Sequence, residues 1–285
     1  VSIIVRSMDR PSLAAAIASV VAQTYSHIEV VIVNATGRQH SEVFFPAHRI
    51  SLRLVAPDAG AGVGLGRPQA ANLGLAQAGG TLAMFLDDDD LIDVGHIEHL
   101  VEALGKHASC VAAYAGVRVL DGQGRLLRHY DTPWATERLN GINFLPIHSV
   151  LFRLDVVRNA HLAFDTDLPV LEDWDFWCQL ARQGAFVHVP GVSATYCQSQ
   201  GPESSQLANS NHPHYWALWH QRVLQKHGQR YGADAHVAAL AWYAFAFDQL
   251  EQKTLSTRER VEALENENVR LAQHGNELAR QNGRL

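Results

Sequence analysis

Short apolar runs, each closed by glycine, proline or charge, recur along the first two thirds of the chain. Val1-Ser2-Ile3-Ile4-Val5, Ile28 to Val33, Ser51 to Val55 and Leu82 to Leu86 are such runs. Their near-continuous apolarity predicts strands covered on both faces, as in a parallel sheet. Periodic segments lie between them. Pro11 opens an amphipathic helix to about Gln23, with Leu13, Ile17, Val20 and Val21 on one face. Pro68 to Ala78 predicts a second helix, ended by Gly79-Gly80, and Asp93 to Lys106 a third. This is the β-α-β-β opening of an α/β sandwich. Cys110 to Leu120 and Arg125 to Tyr130 then flank a hairpin signal, Asp121-Gly122-Gln123-Gly124. Ser149 to Arg153 predicts a strand and Val170 to Gly184 a helix. Ala185 to Val189 and Ser193 to Cys197 predict two short strands. Gln198 to His214 is a polar loop of a length that suits a lid.

The pattern changes after that loop. We divide the chain into an α/β domain, residues 1–212, and a helical segment, residues 213–285. From Leu240 a heptad can be written. Tyr243, Leu250, Leu264, Leu271, Leu278 and Leu285 share one register, with Thr257 as the exception. The other core position holds Leu240, Phe247, Thr254, Val261, Asn268, Gly275 and Asn282. Leucine at d with asparagine at a favours a two-stranded coiled coil, read as a homodimer contact or a spacer to another domain, against a plain solvated amphipathic helix.

Composition narrows the class. Net charge is −6 over 285 residues, which argues against a general nucleic-acid binder. The three cysteines, Cys110, Cys178 and Cys197, have no CxxC spacing, and so sparse a set argues for a reducing compartment. No uncharged apolar stretch reaches the roughly 18 residues of a spanning helix.

The candidate chemistry sits in Thr81 to Ile92, TLAMFLDDDDLI. An apolar strand runs straight into Asp87, Asp88, Asp89 and Asp90. Open α/β sheets hold ligands at the carboxyl ends of their strands. Hard cations such as Mg²⁺ or Mn²⁺ take carboxylate and phosphate oxygens. The stretch therefore reads as a metal–diphosphate site or, more plainly, as an acidic helix start. The glycine-rich Ala59 to Arg67 fails the GxGxxG template and lacks the Lys-Ser/Thr of a P-loop.

Three stretches, in order, resemble one family. VSIIVRSMDRPSLAAAIASVVAQTYSHIEVVIVN looks like the first β-α-β of a GT-A glycosyltransferase of the large inverting family 2. RPQAANLGLAQAGGTLAMFLDDDD looks like its helix leading to the DxD strand, and FDTDLPVLEDWDFWCQLARQG like its acceptor-side ED helix. The resemblance covers about Val1 to Gln200. It implies a GT-A, Rossmann-like α/β/α sandwich with a mostly parallel sheet, followed by the helical extension. It also implies Asp89 and Asp87 as metal ligands, with Asp87 and Asp88 near the sugar-nucleotide. Glu172 falls on the first ED acid, and Asp173 becomes the general base. Trp174 is then placed to stack on an acceptor sugar. The family has an acid that reads the nucleotide base where this chain has Asn34, followed by Ala35. Its helical Arg is Ala71 here, with Asn72 next, and Arg67 lies one turn earlier to face the phosphates.

The resemblance thus implies transfer of a sugar from a nucleotide-sugar to a glycan or lipid-linked acceptor. By family analogy the setting is bacterial polysaccharide biosynthesis in the cytoplasm, with peripheral attachment to the inner membrane face. The rival reading is a non-catalytic GT-A-like scaffold that dimerises through its coiled coil. A nucleotidyltransferase is disfavoured, because Arg6 to Pro11 holds no glycine.

Overall fold

The computed structural model describes residues 1–43, 50–57, 62–198, 215–228, 237, 240–241, 254, 256–265 and 267–271. Two compact units divide the chain, Val1–Gly232 and Ala233–Leu285.

The first unit is a mixed sheet wrapped by helices. In chain order it runs β1 (Ser2–Ser7), α1 (Leu13–Val21), β2 (Ile28–Asn34), β3 (Ile50–Val55), α2 (Arg67–Gln77) and β4 (Leu82–Asp87). Then come β5 (Leu91–Ile92), α3 (His96–Lys106), β6 (Ala112–Leu120), β7 (Leu126–Tyr130), α4 (Thr136–Leu139), β8 (Val150–Arg153) and α5 (Leu154–Asn159). α6 (Glu172–Ala181) and β9 (Phe186–Cys197) follow, and residues 215–228 form helix α7. The sheet order is β3-β2-β1-β4-β8-β6-β9-β5, with β7 added beside β6. β1, β2, β3 and β4 are parallel, β8 is antiparallel to β4 and β6, and β9 is parallel to β6.

Both faces of the central strands are apolar for a simple reason. Successive strand residues point to opposite faces. Ile4, Val31, Val33 and Phe85 join one core with α2 and α6 residues such as Ala70, Ala71, Phe176 and Trp177. Ile3, Val5, Val30, Ile32, Met84 and Leu86 join another, with Ile17, Val20, Ile97 and Leu100 of α1 and α3. Phe164 stacks on Phe176 with ring centroids 4.3 Å apart and meets Phe85 edge-on at 5.1 Å.

Two predicted strands are one. Pro190 and Gly191 punctuate the sequence, yet β9 continues through them and stays parallel to β6 on both sides. The register slips beside Gly116, and Gly191 adopts φ 105°. A bulge absorbs the missing proline donor and the pairing resumes. The predicted lid falls on residues 199–214, outside those described.

α7 lies in the first unit, with Val223 and His227 buried. In the second unit the described residues are helical, and Val261, Leu264 and Leu271 are exposed on the single chain. Tyr243, Leu250, Leu278 and Leu285 of the heptad lie outside the described residues. Among the described residues, no helix is long and apolar enough to cross a membrane.

α2 rests close on β1. A Cβ at Gly74 would lie 2.2 Å from Ile4 Cγ2 and 3.3 Å from Val33 Cγ2. Ile4 is fully buried and cannot swing away. Gly74→Val is therefore expected to destabilise the protein by about 1–3 kcal/mol, the usual range for overpacking. This exceeds the few tenths of a kcal/mol that valine gains over glycine in helix propensity. An unchanged urea midpoint would show that helix and strand can part.

Candidate active site

The site forms where β1 and β4 end side by side. Their register pairs Arg6 with Asp87. Arg6 Nε donates to Asp87 Oδ1 at 2.7 Å and Nη2 to Oδ2 at 2.8 Å. Its third nitrogen, Nη1, donates to Glu172 Oε1 at 2.9 Å. Arg6 and Glu172 are both buried. Burial alone would discourage the Arg6 charge, but the two carboxylates hold the guanidinium firmly protonated. Glu172 points inward because Leu171, just before α6, turns the chain at φ 62°. A left-handed leucine is uncommon and costs of order 1–3 kcal/mol, so the surrounding structure must enforce it.

The four aspartates have four different environments. Asp87 resists burial through Arg6, which holds its carboxyl below the usual carboxylate range. Asp88 is fully buried and points away from the site. It accepts from the Met8 amide at 2.6 Å and from Arg10 Nη1 at 2.7 Å, so it anchors the loop after β1. Its side chain is engaged within the fold and is not among the cleft-lining residues. Asp89 is pushed up to about 7, by burial and then by the charges of Asp90 and Asp87. Asp90 is buried. Its Oδ1 accepts from the Cys197 amide at 2.9 Å, and its Oδ2 lies 2.9 Å from His148 Nδ1. Burial opposes a charge on His148, yet Asp90 outweighs it and the pKa is raised.

Asp87, Asp89 and Asp90 each offer an oxygen within 4.8 Å of the others. The set is all hard oxygen, and Asp90 and Asp87 oppose a charge on Asp89 that Arg10, 3.3 Å away, favours. A divalent cation of the Mg²⁺ or Mn²⁺ class fits such donors.

Two of these acids, Asp87 and Asp90, border a cleft of about 360 Å³ whose wall also includes Arg6, Arg67, His148, Asp173 and Trp216. Asp173 Oδ2 accepts from Asn143 Nδ2 at 2.9 Å, and Oδ1 from the Trp174 amide at 2.8 Å. Burial, and then the adjacent Glu172 charge, push Asp173 up to about 7. A carboxylate so poised can accept a proton near neutrality.

Arg67, Asp87, Glu172 and Asp173 thus come together as the sequence suggests, and Asp89 adjoins them. Three other candidates do not. Asn34 Nδ2 donates to the Arg38 carbonyl at 2.7 Å, and its Oδ1 accepts from the Thr36 amide and hydroxyl. Its amide is engaged in a local turn. Asn72 clips a distant loop, donating to the Phe164 carbonyl at 2.9 Å and accepting from its amide at 2.8 Å. Trp174 is buried, with Nε1 donating to the Leu139 carbonyl and its ring stacked on His220 at 4.8 Å. The tryptophan in the cleft wall is Trp216. Arg6, Asn143, His148 and Trp216 were not singled out from the sequence. Only Arg6 carried a signal, as a cation at the end of an apolar strand.

The profile of the family described as Glycosyl transferase family 2 matches residues 2–154. A protein from Rickettsia bellii named an uncharacterized glycosyltransferase is 26% identical over 225 residues, covering 74% of this chain and 32% of its own length. One of the same name from Haemophilus influenzae is 26% identical, covering 68% of this chain and 63% of that one. The chain therefore spans less than two thirds of either relative. The Bacillus subtilis glycosyltransferase YwdF is 26% identical, covering 80% and 84%. The crystal structure of S. aureus TarS 1–349 in complex with UDP-GlcNAc superposes with a TM-score of 0.56 at 16% identity, covering 70% of this chain and 59% of that one. That likeness establishes the GT-A fold.

Removing Arg6 would strand two carboxylates. Arg6→Met is expected to cost about 3–5 kcal/mol in urea unfolding at pH 7.5, the range for breaking a buried ion pair on one side. A loss below about 1 kcal/mol would mean that water already screens Asp87 and Glu172.

Proposed function

The chain belongs to glycosyl transferase family 2, and from that premise we propose that it is an inverting, metal-assisted glycosyltransferase using a nucleoside-diphosphate sugar. One observation carries the reading. Arg6 ties Asp87 at the end of β4 to Glu172 at the start of α6, so two of the three clustered aspartates line one cleft with Asp173.

In this reading Asp173 in its ionised form takes the proton of an acceptor hydroxyl. The freed oxygen attacks the anomeric carbon, the bond from that carbon to the diphosphate breaks, and the nucleoside diphosphate leaves with the bonding pair. Attack from the face opposite the leaving group inverts the centre. Asn143 holds Asp173 in place. Asp87 and Asp89 are the residues that would hold the cation, which when bound offsets charge on the departing diphosphate. Arg67 adds a positive charge on the same wall. The UDP-GlcNAc bound by TarS makes a UDP-sugar the first donor to try. The acceptor is a glycan or a lipid-linked sugar, met at the inner face of a membrane.

The local use of Asn34 favours a second reading, a GT-A-like scaffold without donor binding. Its exposed heptad residues bear on either case. We infer that the second unit pairs with a second copy through Val261, Leu264 and Leu271. Light scattering is expected to give a dimer, and Leu264→Lys with Leu271→Lys a monomer. A monomeric wild type would end the pairing.

Asp173→Asn is expected to keep the affinity for UDP with Mn²⁺ within about twofold and to slow transfer by about 10²–10⁴, the range for general-base catalysis. Wild-type kcat/KM should rise with pH through about 7, because the base is protonated below that value and competent above it. Near-wild-type transfer by the variant would remove Asp173 as the base.

A further inference from the structure

Among the described residues, one buried polar atom of the cleft wall has no hydrogen-bond partner. His148 belongs to the 3-10 turn Ile147–Ser149 that leads into β8. It is 1% exposed, and it forms part of the cleft wall. Its Nδ1 donates to Asp90 Oδ2 at 2.9 Å, and Asp90 is itself pinned by the Cys197 amide. The ring is therefore fixed in one orientation. Nε2 is shielded from solvent and makes no hydrogen bond. Folded proteins seldom leave such an atom unsatisfied, because desolvation is then uncompensated. Gln69, His96 and Trp219 carry comparable atoms, but none of those residues lines the cleft.

We propose that His148 is a donor-contacting residue, whose Nε2 hydrogen-bonds an oxygen of the bound nucleoside-diphosphate sugar while Asp90 fixes the ring. The inference rests on the donor site proposed above. It assigns the aspartate cluster a divided labour. Asp87 and Asp89 are the residues that would hold the cation. Asp90 spends an oxygen on each of two protein groups and acts through His148. The oxygen that meets Nε2 belongs either to the diphosphate or to a sugar hydroxyl, and both are within the chemistry of an imidazole nitrogen.

His148→Asn tests this on the full chain. The asparagine amide stands where Nδ1 stood and keeps a partner for Asp90, but the far nitrogen is lost. His148→Gln places an amide nearer the Nε2 position. UDP and UDP-GlcNAc are titrated calorimetrically, each with Mn²⁺. His148→Asn is expected to bind roughly tenfold more weakly, as for a lost hydrogen bond to a charged group, and His148→Gln to recover part of the loss. A loss with UDP assigns the contact to the diphosphate, and a loss with UDP-GlcNAc alone assigns it to the sugar. Wild-type affinity for both ligands in His148→Asn overturns the inference and leaves the donor site standing. No binding of UDP, GDP, dTDP or CMP by the wild type overturns both. If the variants fail to fold, the ¹⁵N resonance of His148 Nε2 in the wild type decides. It should move when UDP or UDP-GlcNAc is added, and a fixed resonance with both overturns the contact.

Discussion

The site depends on one guanidinium shared between two carboxylates. Asp87 lies 81 residues from Arg6 in sequence and Glu172 lies 166 away. Without a cation between them these acids would repel one another across a dry gap. With it, the end of β4 and the start of α6 are drawn to the end of β1. A buried charge tolerates little displacement from its partners, since the attraction that offsets its desolvation falls quickly with distance. The pairing therefore orients as well as neutralises. Glu172 is held inward, and the next residue on the helix, Asp173, is left to face the cleft.

The same electrostatics separate chemically identical side chains into different roles. Asp87 and Glu172 share the charge of Arg6, and Asp88 pairs with the loop of Met8 and Arg10. Two carboxyls remain near neutrality, for different causes. Burial comes first for both. Asp89 is then crowded by Asp90 and Asp87, and Asp173 by Glu172. A cation among the β4 acids would relieve Asp89 directly. Asp173 lies outside that set of oxygens, so it would keep its affinity for a proton while the leaving-group side was neutralised. Environment rather than residue type thus sets the proton affinity of each carboxyl.

The fold was largely legible because β1, β2 and β4, the centre of the parallel part of the sheet, are nearly unbroken apolar runs. β9 was not, since Pro190-Gly191 is a local stop signal that pairing with β6 overrides. At the site, carboxylates in a row could be read as chemistry, but how each would be partnered could not. Asn34 is instructive. Its bonds to Thr36 and Arg38 are short-range, and Asn-Ala-Thr is a plausible turn on inspection. Asn72 is the opposite case, since its bond to Phe164 spans 92 residues and leaves no local trace. His148 gave no signal because its meaning comes from Asp90, on another strand's end.

Aromatic placement shows the same principle acting on α6 from behind. Trp174 was read as an exposed stacking face next to the acids, but α7 covers it. Asp175, fully buried on α6, accepts from His227 Nε2 at 2.7 Å and pairs with Lys226. That clamp draws α7 onto α6, and His220 then lies between two tryptophans, 4.8 Å from Trp174 and 4.9 Å from Trp216. The stack carries the rigidity of the buried ring out to the cleft wall, where Trp216 stands. α6 is thus gripped at its start by Arg6 and along its back by α7. Asp173 lies between the two grips, so both the ion pair and the clamp constrain where its carboxyl can stand.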